Sequence, residues 1–334
     1  MKKELLVQEL PTDFCHASTL LALENGEVLC CWFGGTHEGN ADVAIFMSRR
    51  AANGVWSFPI KLADGVEANW NPVLHLRDDG VVQLFYKEGQ QIASWRTLVM
   101  ESENHGQSWT RARELVPGDN GGGRGPVRNK LLRLSSGRLL AGASTEHGLW
   151  KAYADRSDDD GRNWSLSNPI AIDDLEYHTG EKTAASDIAV SEQSFYGRGV
   201  IQPSLWESAD GSVHMLLRSS EGFIYRSDSI DGGVSWCSAY PIDIPNNNSG
   251  LDLVKGANGY LYLVCNPVAA NWGMRSPLSL FQSIDDGKSW ERMFDLDSEA
   301  GEFSYPAIIA SGTKLYISYT YKRVNIAFLE LELL

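Results

Sequence analysis

The sequence has few cysteines, no long apolar run and no excess of positive charge. No apolar run in its 334 residues approaches the roughly 18 residues of a membrane span. The N-terminal residues lack the apolar stretch and small-residue cleavage site of a signal peptide. The five cysteines are an odd number, and Cys30 and Cys31 are adjacent, which favours buried reduced thiols over disulfides. These features predict a cytoplasmic protein.

The net charge is −14, from 29 Lys and Arg against 43 Asp and Glu. This balance argues against nucleic acid or an anionic membrane surface as a partner. It does not exclude an anionic small molecule, because local Arg and Lys can reverse the field in one pocket. Neither a metal-ligand spacing nor a nucleotide-binding fingerprint is present, so we predict no metal and no cofactor.

What the chain does have is a repeated octet, Ser-x-Asp-x-Gly-x-x-Trp. Its copies end at Trp56, Trp109, Trp164, Trp236 and Trp290. The second copy has Asn104 in the Asp place, and the first keeps only the Ser, the Gly and the Trp. An Asp or Asn at this place bonds nearby backbone N–H groups, and the Gly takes a conformation that a Cβ would resist. The octet therefore predicts a rigid hairpin tip between two strands.

The period of the octet is about fifty residues, which in an all-β chain is typical of propeller blades. The interval between Trp164 and Trp236 is longer, and we place an insertion at about Leu166 to Arg198. Between the octets, pairs of apolar runs are separated by a Gly turn, the signal of a hairpin. The turn glycines are Gly26, Gly80, Gly137, Gly211, Gly259 and Gly312.

Six hairpins predict an all-β fold, a six-bladed β-propeller. An octet follows five of the hairpins but not the sixth. We therefore predict that a strand around Leu5 to Leu10 completes the last blade beside Ile326 to Leu333. The chain, residues 1–334, would then be a single domain closed by its N-terminal strand.

Candidate catalytic residues lie where the inner strand of a blade begins, because these strands open onto the central mouth of a propeller. In the first blade, His16 begins the strand, and His37, Glu38 and Asp42 follow the hairpin. One His is usually structural, but four such groups at one mouth indicate chemistry. In the last blade Tyr305 begins the inner strand, three residues after Glu302. A Tyr with a charged neighbour can act as a nucleophile or as an acid or base.

Candidate substrate ligands come from the other blades. Lys87 and Arg218 each interrupt an apolar strand, which indicates either a buried acidic partner or the mouth. The planar fork of Arg218 suits a carboxylate. Asn71 begins an inner strand. Asn129 and Lys130 end the most basic stretch of the chain, which is either part of the binding site or a solvated loop.

The octet resembles the Asp-box of sialidases and other BNR-repeat proteins. Sialidases carry three Arg that clamp the substrate carboxylate, a nucleophilic Tyr with a Glu helper, and an acid/base Asp. By blade and strand, Arg218 and Arg275 look like the second and third clamp arginines, and Tyr305 looks like the nucleophile. The resemblance implies a propeller that binds an anionic mono- or oligosaccharide.

The chain also departs from the sialidase pattern. His16 stands in the first strand, where an Arg-Ile-Pro motif supplies the first clamp Arg, and Gln202 stands where the helper Glu is expected. A Gln cannot take a proton from a Tyr hydroxyl. The acid/base place falls to Asp42, Glu38 or His37. We interpret the chain as a divergent member of this superfamily.

Three functions fit these residues. A glycoside hydrolase, which the Arg and Tyr positions favour, needs two groups that flank the bond, and Tyr305, Glu38 and Asp42 are candidates. A lyase acting on a uronate needs its carboxylate neutralised and a base for the α-proton, for which Arg218, Arg275, His16 and Tyr305 are candidates. The third function is non-catalytic sugar binding, since a fold does not fix a function.

Overall fold

The computed structural model describes residues 2–7, 11–176 and 196–333. Apart from one short 3₁₀ helix, Ile92–Ser94, every regular element in these ranges is a β-strand. No described helix is long and apolar enough to cross a membrane. The strands are β1 Lys2–Leu5, β2 Phe14–Ala22, β3 Val28–Gly35, β4 Ala44–Arg50, β5 Ile60–Ala63, β6 Asn69–Leu76, β7 Val82–Glu88, β8 Arg96–Ser102, β9 Arg113–Glu114, β10 Leu132–Arg133, β11 Leu139–Thr145, β12 Leu149–Ser157, β13 Ser165–Leu166, β14 Arg198–Glu207, β15 Val213–Ser219, β16 Phe223–Ser229, β17 Tyr240–Pro245, β18 Asp252–Lys255, β19 Leu261–Cys265, β20 Leu278–Ser283, β21 Glu291–Asp297, β22 Phe303–Ser311, β23 Lys314–Tyr321 and β24 Asn325–Glu332.

The described strands form five sheets. Three are four-stranded and antiparallel in chain order, namely β2 to β5, β6 to β9 and β18 to β21. The eight-stranded sheet holds β10 to β17, and a short parallel pairing of β12 with β14 joins its two antiparallel halves. The all-β prediction is confirmed, whereas the number of blades and the closure of the ring stay predictions.

In the fifth sheet the N-terminal strand β1 pairs antiparallel with the C-terminal strand β24. Lys2 lies opposite Glu330 and Leu5 opposite Ala327. The strand therefore ends at Leu5, the residue near which we predicted that it would begin. Residues 8–10 lie outside the described ranges. Of the predicted insertion, residues 177–195 likewise lie outside them. The division of the chain into one domain stays a prediction.

The six turn glycines lie between paired strands, as predicted, and each has a positive φ. These are Gly26, Gly80, Gly137, Gly211, Gly259 and Gly312. The sequence identifies the hairpins correctly because a two-strand turn of this kind needs a left-handed residue, and Gly adopts that conformation without steric cost.

Four of the five octets close on themselves through side-chain hydrogen bonds, whereas in the first copy the Ser48 hydroxyl donates to the carbonyl oxygen of Ser57, outside the octet. In the last copy, the Ser283 hydroxyl donates to Asp285 at 2.8 Å and accepts from the N–H of Gly287 at 2.8 Å. The N–H of Ser289 donates to the same Asp285 carboxylate at 2.9 Å. Asn104 makes the equivalent bonds in the second copy. The octet is therefore the rigid hairpin tip that its residues predict.

Four inner strands share a one-residue bulge at the same place. The pairing register shifts in β2, β6, β14 and β22. Each bulge holds a non-glycine residue with left-handed φ: Ala17 at 54°, Asn71 at 44°, Gln202 at 55° and Tyr305 at 50°. This conformation costs a residue with a Cβ about 1–2 kcal/mol. Strain repeated at equivalent places indicates a functional position rather than an accident.

The five cysteines are unpaired. Cys15, Cys30, Cys31 and Cys265 are buried, as the sequence predicts, but Cys237 is exposed. Burial raises the pKa of the Cys31 and Cys265 thiols. These buried thiols are consequently small apolar core groups.

The octet predicts a specific acid sensitivity. Hydrogen bonds from the Ser289 hydroxyl and N–H lower the pKa of Asp285 from 3.8 to about 2. Its stabilising effect is thus present above the unfolded pKa and is lost as pH falls toward about 2. We expect Asp285→Ala to lose about 1 kcal/mol of unfolding free energy at pH 7 in urea titrations. Asp285→Asn, which copies the second octet, keeps the accepting oxygen but not the charge, so its stability should lie between those of the Ala variant and wild type. An Asn variant as unstable as the Ala variant would contradict this.

Candidate functional site

One cavity of about 490 Å³ collects most of the predicted site residues. Its polar lining includes His16, His37, Glu38, Asn71, Glu146, Gln202, Arg218, Arg275, Tyr305 and Arg323. Its apolar walls include Trp70, Trp95 and Trp272. Three of the four strained bulge residues line this cavity. The bulges therefore aim side chains from different sheets at one space.

Tyr305 and Arg218 are the central pair of the cavity. The Arg218 Nη1 donates to the Tyr305 hydroxyl at 2.6 Å, and its Nε donates to Asn248 Oδ1 at 2.6 Å. The Gln202 amide oxygen lies 3.4 Å from the same Nη1. Arg218 is 2% exposed, and it forms no ion pair with any described residue. A buried cation without a paired acid suits an anionic ligand.

Glu302 lies beside this pair and holds two further arginines. It accepts from Arg275 at 2.6 Å and from Arg323 at 2.8 Å. Arg323 also pairs with Glu38 of the β3–β4 loop. Burial would raise the pKa of Glu302, but Arg275 and Arg323 outweigh it and hold the pKa well below its usual value. Glu302 is a permanent carboxylate, which makes it a weak base.

His16 packs on the ring of Tyr305. The ring centroids are 4.2 Å apart, and Nδ1 of His16 lies 2.9 Å from the Thr320 hydroxyl. Burial and the charge of Arg323 lower the pKa of His16 well below its usual value, and Glu302 offsets them only in part. His16 is therefore neutral in the empty cavity and has a lone pair that can accept a proton.

Arg128, which the sequence did not single out, supports the bulge from behind. Its guanidinium donates to the carbonyl oxygens of Tyr305 at 2.6 Å and Pro306 at 2.8 Å. The guanidinium carbon lies 5.4 Å from the Tyr305 ring centroid. Arg128 thus fixes both the backbone and the ring of Tyr305.

Five predicted residues do not line the cavity, and one of them is Glu302, described above. Buried Lys87 donates to Thr97 at 2.7 Å and to the Arg124 carbonyl at 2.6 Å. Lys130 pairs with Asp252 at 2.8 Å. Lys87 thus bonds to hydroxyl and carbonyl oxygens rather than to the acidic partner or cavity that its strand position indicated, and the acid that pairs with Lys130 belongs to the protein.

The other two residues outside the lining are Asn129 and Asp42. Asn129 donates to the carbonyl oxygens of Gln202 and Pro203, at 3.0 and 3.1 Å. Exposed Asp42 accepts from the N–H and hydroxyl of Thr36 at 2.9 and 3.0 Å. Neither side chain lines the cavity, and the role of Asp42 as the acid/base stays a prediction. His37 and Glu38 do line the cavity, but Glu38 is committed to Arg323.

One sequence pattern marks three of the residues that line the cavity. Asn71, Gln202 and Tyr305 each precede a proline at the start of an inner strand. Glu146 and Arg323 follow strands rather than begin them, so the same rule does not find them. Within the described ranges, no three His, Cys, Asp or Glu side chains are grouped so as to hold a metal ion.

The sheets and the cavity define an all-β protein with a charged pocket. A family model described as a BNR repeat-like domain matches residues 26–317. The chain therefore belongs to the BNR repeat-like domain family. No curated protein matches it by sequence.

Solved structures similar to the chain are distant in sequence. A protein of unknown function from Dyadobacter fermentans has TM-score 0.76 and 14% identity, over 100% of this chain and 98% of that one. A mutant NanB sialidase from Streptococcus pneumoniae has TM-score 0.75 and 14% identity, over 98% and 70%. A leech intramolecular trans-sialidase, complexed with 2,7-anhydro-Neu5Ac, has TM-score 0.72 and 14% identity, over 99% and 70%. At such identity the likeness shows the fold alone.

Glu302 is the shared counter-ion of Arg275 and Arg323, which line the cavity, so we expect its loss to lower the stability of the fold. Glu302→Gln leaves Arg275 and Arg323 without their shared counter-ion, so we expect a loss of about 3–5 kcal/mol in urea unfolding at pH 7. The stabilisation is present above the usual pKa of 4.5 and falls with pH below it, so the gap to wild type should narrow in acid.

The matched control for this test is Glu299→Gln. Glu299 is three residues away and forms an exposed ion pair with Lys322 at 3.2 Å. Exposed pairs contribute little, so this variant should remain near wild type. Equal losses in the two variants would show that Glu302 is not the centre of the charge network.

Proposed function

We propose that the chain is a six-bladed propeller whose central cavity binds an anionic sugar and cleaves its glycosidic bond. The observation that carries the proposal is the 2.6 Å hydrogen bond from Arg218 to the Tyr305 hydroxyl inside the cavity. A cation that donates to this oxygen stabilises the negative charge that a reacting phenol develops. A cytoplasmic location remains part of the proposal.

The substrate carboxylate binds at Arg218. Arg275 and Arg323 already share Glu302 and Glu38, whereas Arg218 forms no ion pair among the described residues. Its planar fork can hold a carboxylate through two parallel hydrogen bonds. The indole walls, Trp70, Trp95 and Trp272, provide apolar surface for the faces of a sugar ring. The sialidase neighbours support a sialic-acid-like or uronic sugar.

In the hydrolytic scheme Tyr305 is the nucleophile at the anomeric carbon. The phenolic proton of Tyr305 passes to neutral His16, whose ring packs on the Tyr305 ring. The charge of Arg323 is one cause of the low pKa of His16. A substrate carboxylate in the cavity offsets positive charge there, which makes His16 a better base once substrate is bound.

The second candidate is β-elimination at a uronate, and Gln202 favours it. The helper carboxylate that a nucleophilic Tyr normally uses is absent, because Gln202 occupies its place beside Arg218. His16 or Tyr305 would then remove the α-proton while Arg218 neutralises the carboxylate. Non-catalytic sugar binding is the outcome if neither reaction occurs.

Tyr305 and His16 are tested together by substitution and product analysis. We expect Tyr305→Phe and His16→Ala each to lower kcat by about 10²–10⁴-fold, as for a lost acid, base or nucleophile, with little change in melting temperature. Tyr260→Phe, at a partly exposed site outside the cavity, is the control and should keep wild-type kcat.

The products distinguish the two reactions. A saturated reducing sugar that incorporates solvent oxygen identifies hydrolysis, whereas an unsaturated, ultraviolet-absorbing uronate identifies elimination. Unchanged turnover in both variants would rule out both schemes. Binding of acidic sugars without any turnover would support the non-catalytic function.

Arg218 is tested by its effect on affinity. Arg218→Lys keeps the charge but loses the fork, so binding of an acidic monosaccharide should weaken by about 1.5–3 kcal/mol, measured by calorimetry. Arg111→Lys, on the exposed surface, should bind as wild type does. If Arg218→Lys also binds unchanged, the carboxylate lies elsewhere.

A further inference from the structure

Three carboxyl groups are near the reacting pair, and only one is uncommitted. Glu38 pairs with Arg323, and Glu302 pairs with Arg275 and Arg323. Glu146 lines the same cavity and is 8% exposed. Its carboxyl forms no hydrogen bond or ion pair with any described residue. A buried polar group without a partner normally serves a ligand, because burial without a partner costs free energy.

Glu146 directly follows β11, in a sheet different from that of Tyr305. Burial raises the pKa of its carboxyl, and the charge of Arg218 opposes this only in part. Other charged or titratable groups that face the cavity are His16, His37, Glu38, Arg275, Tyr305 and Arg323, with Glu302 behind them. A raised pKa favours the protonated carboxyl, which is the form that a proton donor needs.

We propose that Glu146 is the general acid that protonates the departing glycosidic oxygen, an inference that rests on the proposed function. The Glu146 proton moves to that oxygen as its bond to the sugar carbon breaks, and the bonding electron pair stays on the oxygen. The aglycone leaves as an alcohol. In hydrolysis the sugar carbon bonds to the Tyr305 oxygen as the aglycone leaves. Water then gives its hydroxyl to that carbon and its proton to Glu146 while the Tyr305–carbon bond breaks, and the phenolate recovers its proton from His16. In elimination, the sugar carbon instead joins a new double bond, and the α-proton balances the one that Glu146 gave up.

The residues that the sequence offered for this step are less suitable. Asp42 is held by Thr36 outside the cavity lining, and Glu38 is the counter-ion of Arg323. His37 is exposed, with Nδ1 3.0 Å from the carbonyl oxygen of Glu38. Among the carboxyls that line the cavity, Glu146 alone combines burial with the absence of a basic hydrogen-bond partner in the described ranges.

The test compares two leaving groups on one acidic sugar. A 4-nitrophenyl glycoside departs as a stable anion and needs little protonation, whereas an alkyl or sugar aglycone needs the full proton. We expect Glu146→Gln to lower kcat about 10²–10⁴-fold on the alkyl substrate and far less on the nitrophenyl substrate. The fall of wild-type activity at high pH, where the acid loses its proton, should disappear in the variant.

Controls separate chemistry from folding. Glu103→Gln makes the same change on the exposed surface and should behave as wild type. Glu146→Asp keeps a carboxyl one methylene further back, so it should retain the alkaline fall of activity at a lower rate. Melting temperatures report on the folding of each variant.

The outcomes are distinguishable. If wild type cleaves neither substrate, the proposed function fails, and the role of Glu146 fails with it. If wild type is active but Glu146→Gln affects both substrates equally, or neither, the proposed function survives and Glu146 is not the acid. A selective loss on the alkyl substrate, restored in part by Asp, supports the inference.

Discussion

The carboxylate of Glu302 is the constraint on which the cavity depends. It joins Arg275, which precedes β20, to Arg323 in the turn before β24, and through Arg323 it reaches Glu38 beyond β3. Segments far apart in the chain are thereby held around one ionised group. Arg275 is buried and Arg323 is partly buried, so the two cations would repel each other without this shared carboxylate.

The bulges perform a second task that the charges cannot. The side chains of a regular strand alternate between the two faces of its sheet, so few of them can point into a cavity that lies at the end of the strand. One extra residue in left-handed conformation re-aims the chain, and it does so for Asn71, Gln202 and Tyr305 from different sheets. The guanidinium of Arg128 is buried and donates hydrogen bonds to the carbonyl oxygens of Tyr305 and Pro306. The hydrogen bonds from Arg128 therefore stabilise the strained backbone conformation of Tyr305.

The sequence predicts local backbone geometry better than it predicts which groups a charged side chain contacts. Turn glycines and octets report requirements within a few residues, so Gly26 or Asp285 can be read without knowing the fold. A charge in an apolar strand reports only that it is buried. Lys87 and Arg218 gave the same signal, yet Lys87 meets the Arg124 carbonyl while Arg218 meets Tyr305. Glu146 gave no signal, because a polar residue just after a strand is ordinary.

The charges of the cavity determine what it can accept. Arg275 and Arg323 are balanced by Glu302 and Glu38. If Glu146 is protonated, as a proton donor must be, the remaining charge is the single positive charge of Arg218. In a chain of net charge −14, such a cavity admits one carboxylate and disfavours a second, because a further anion finds no free cation and meets Glu38.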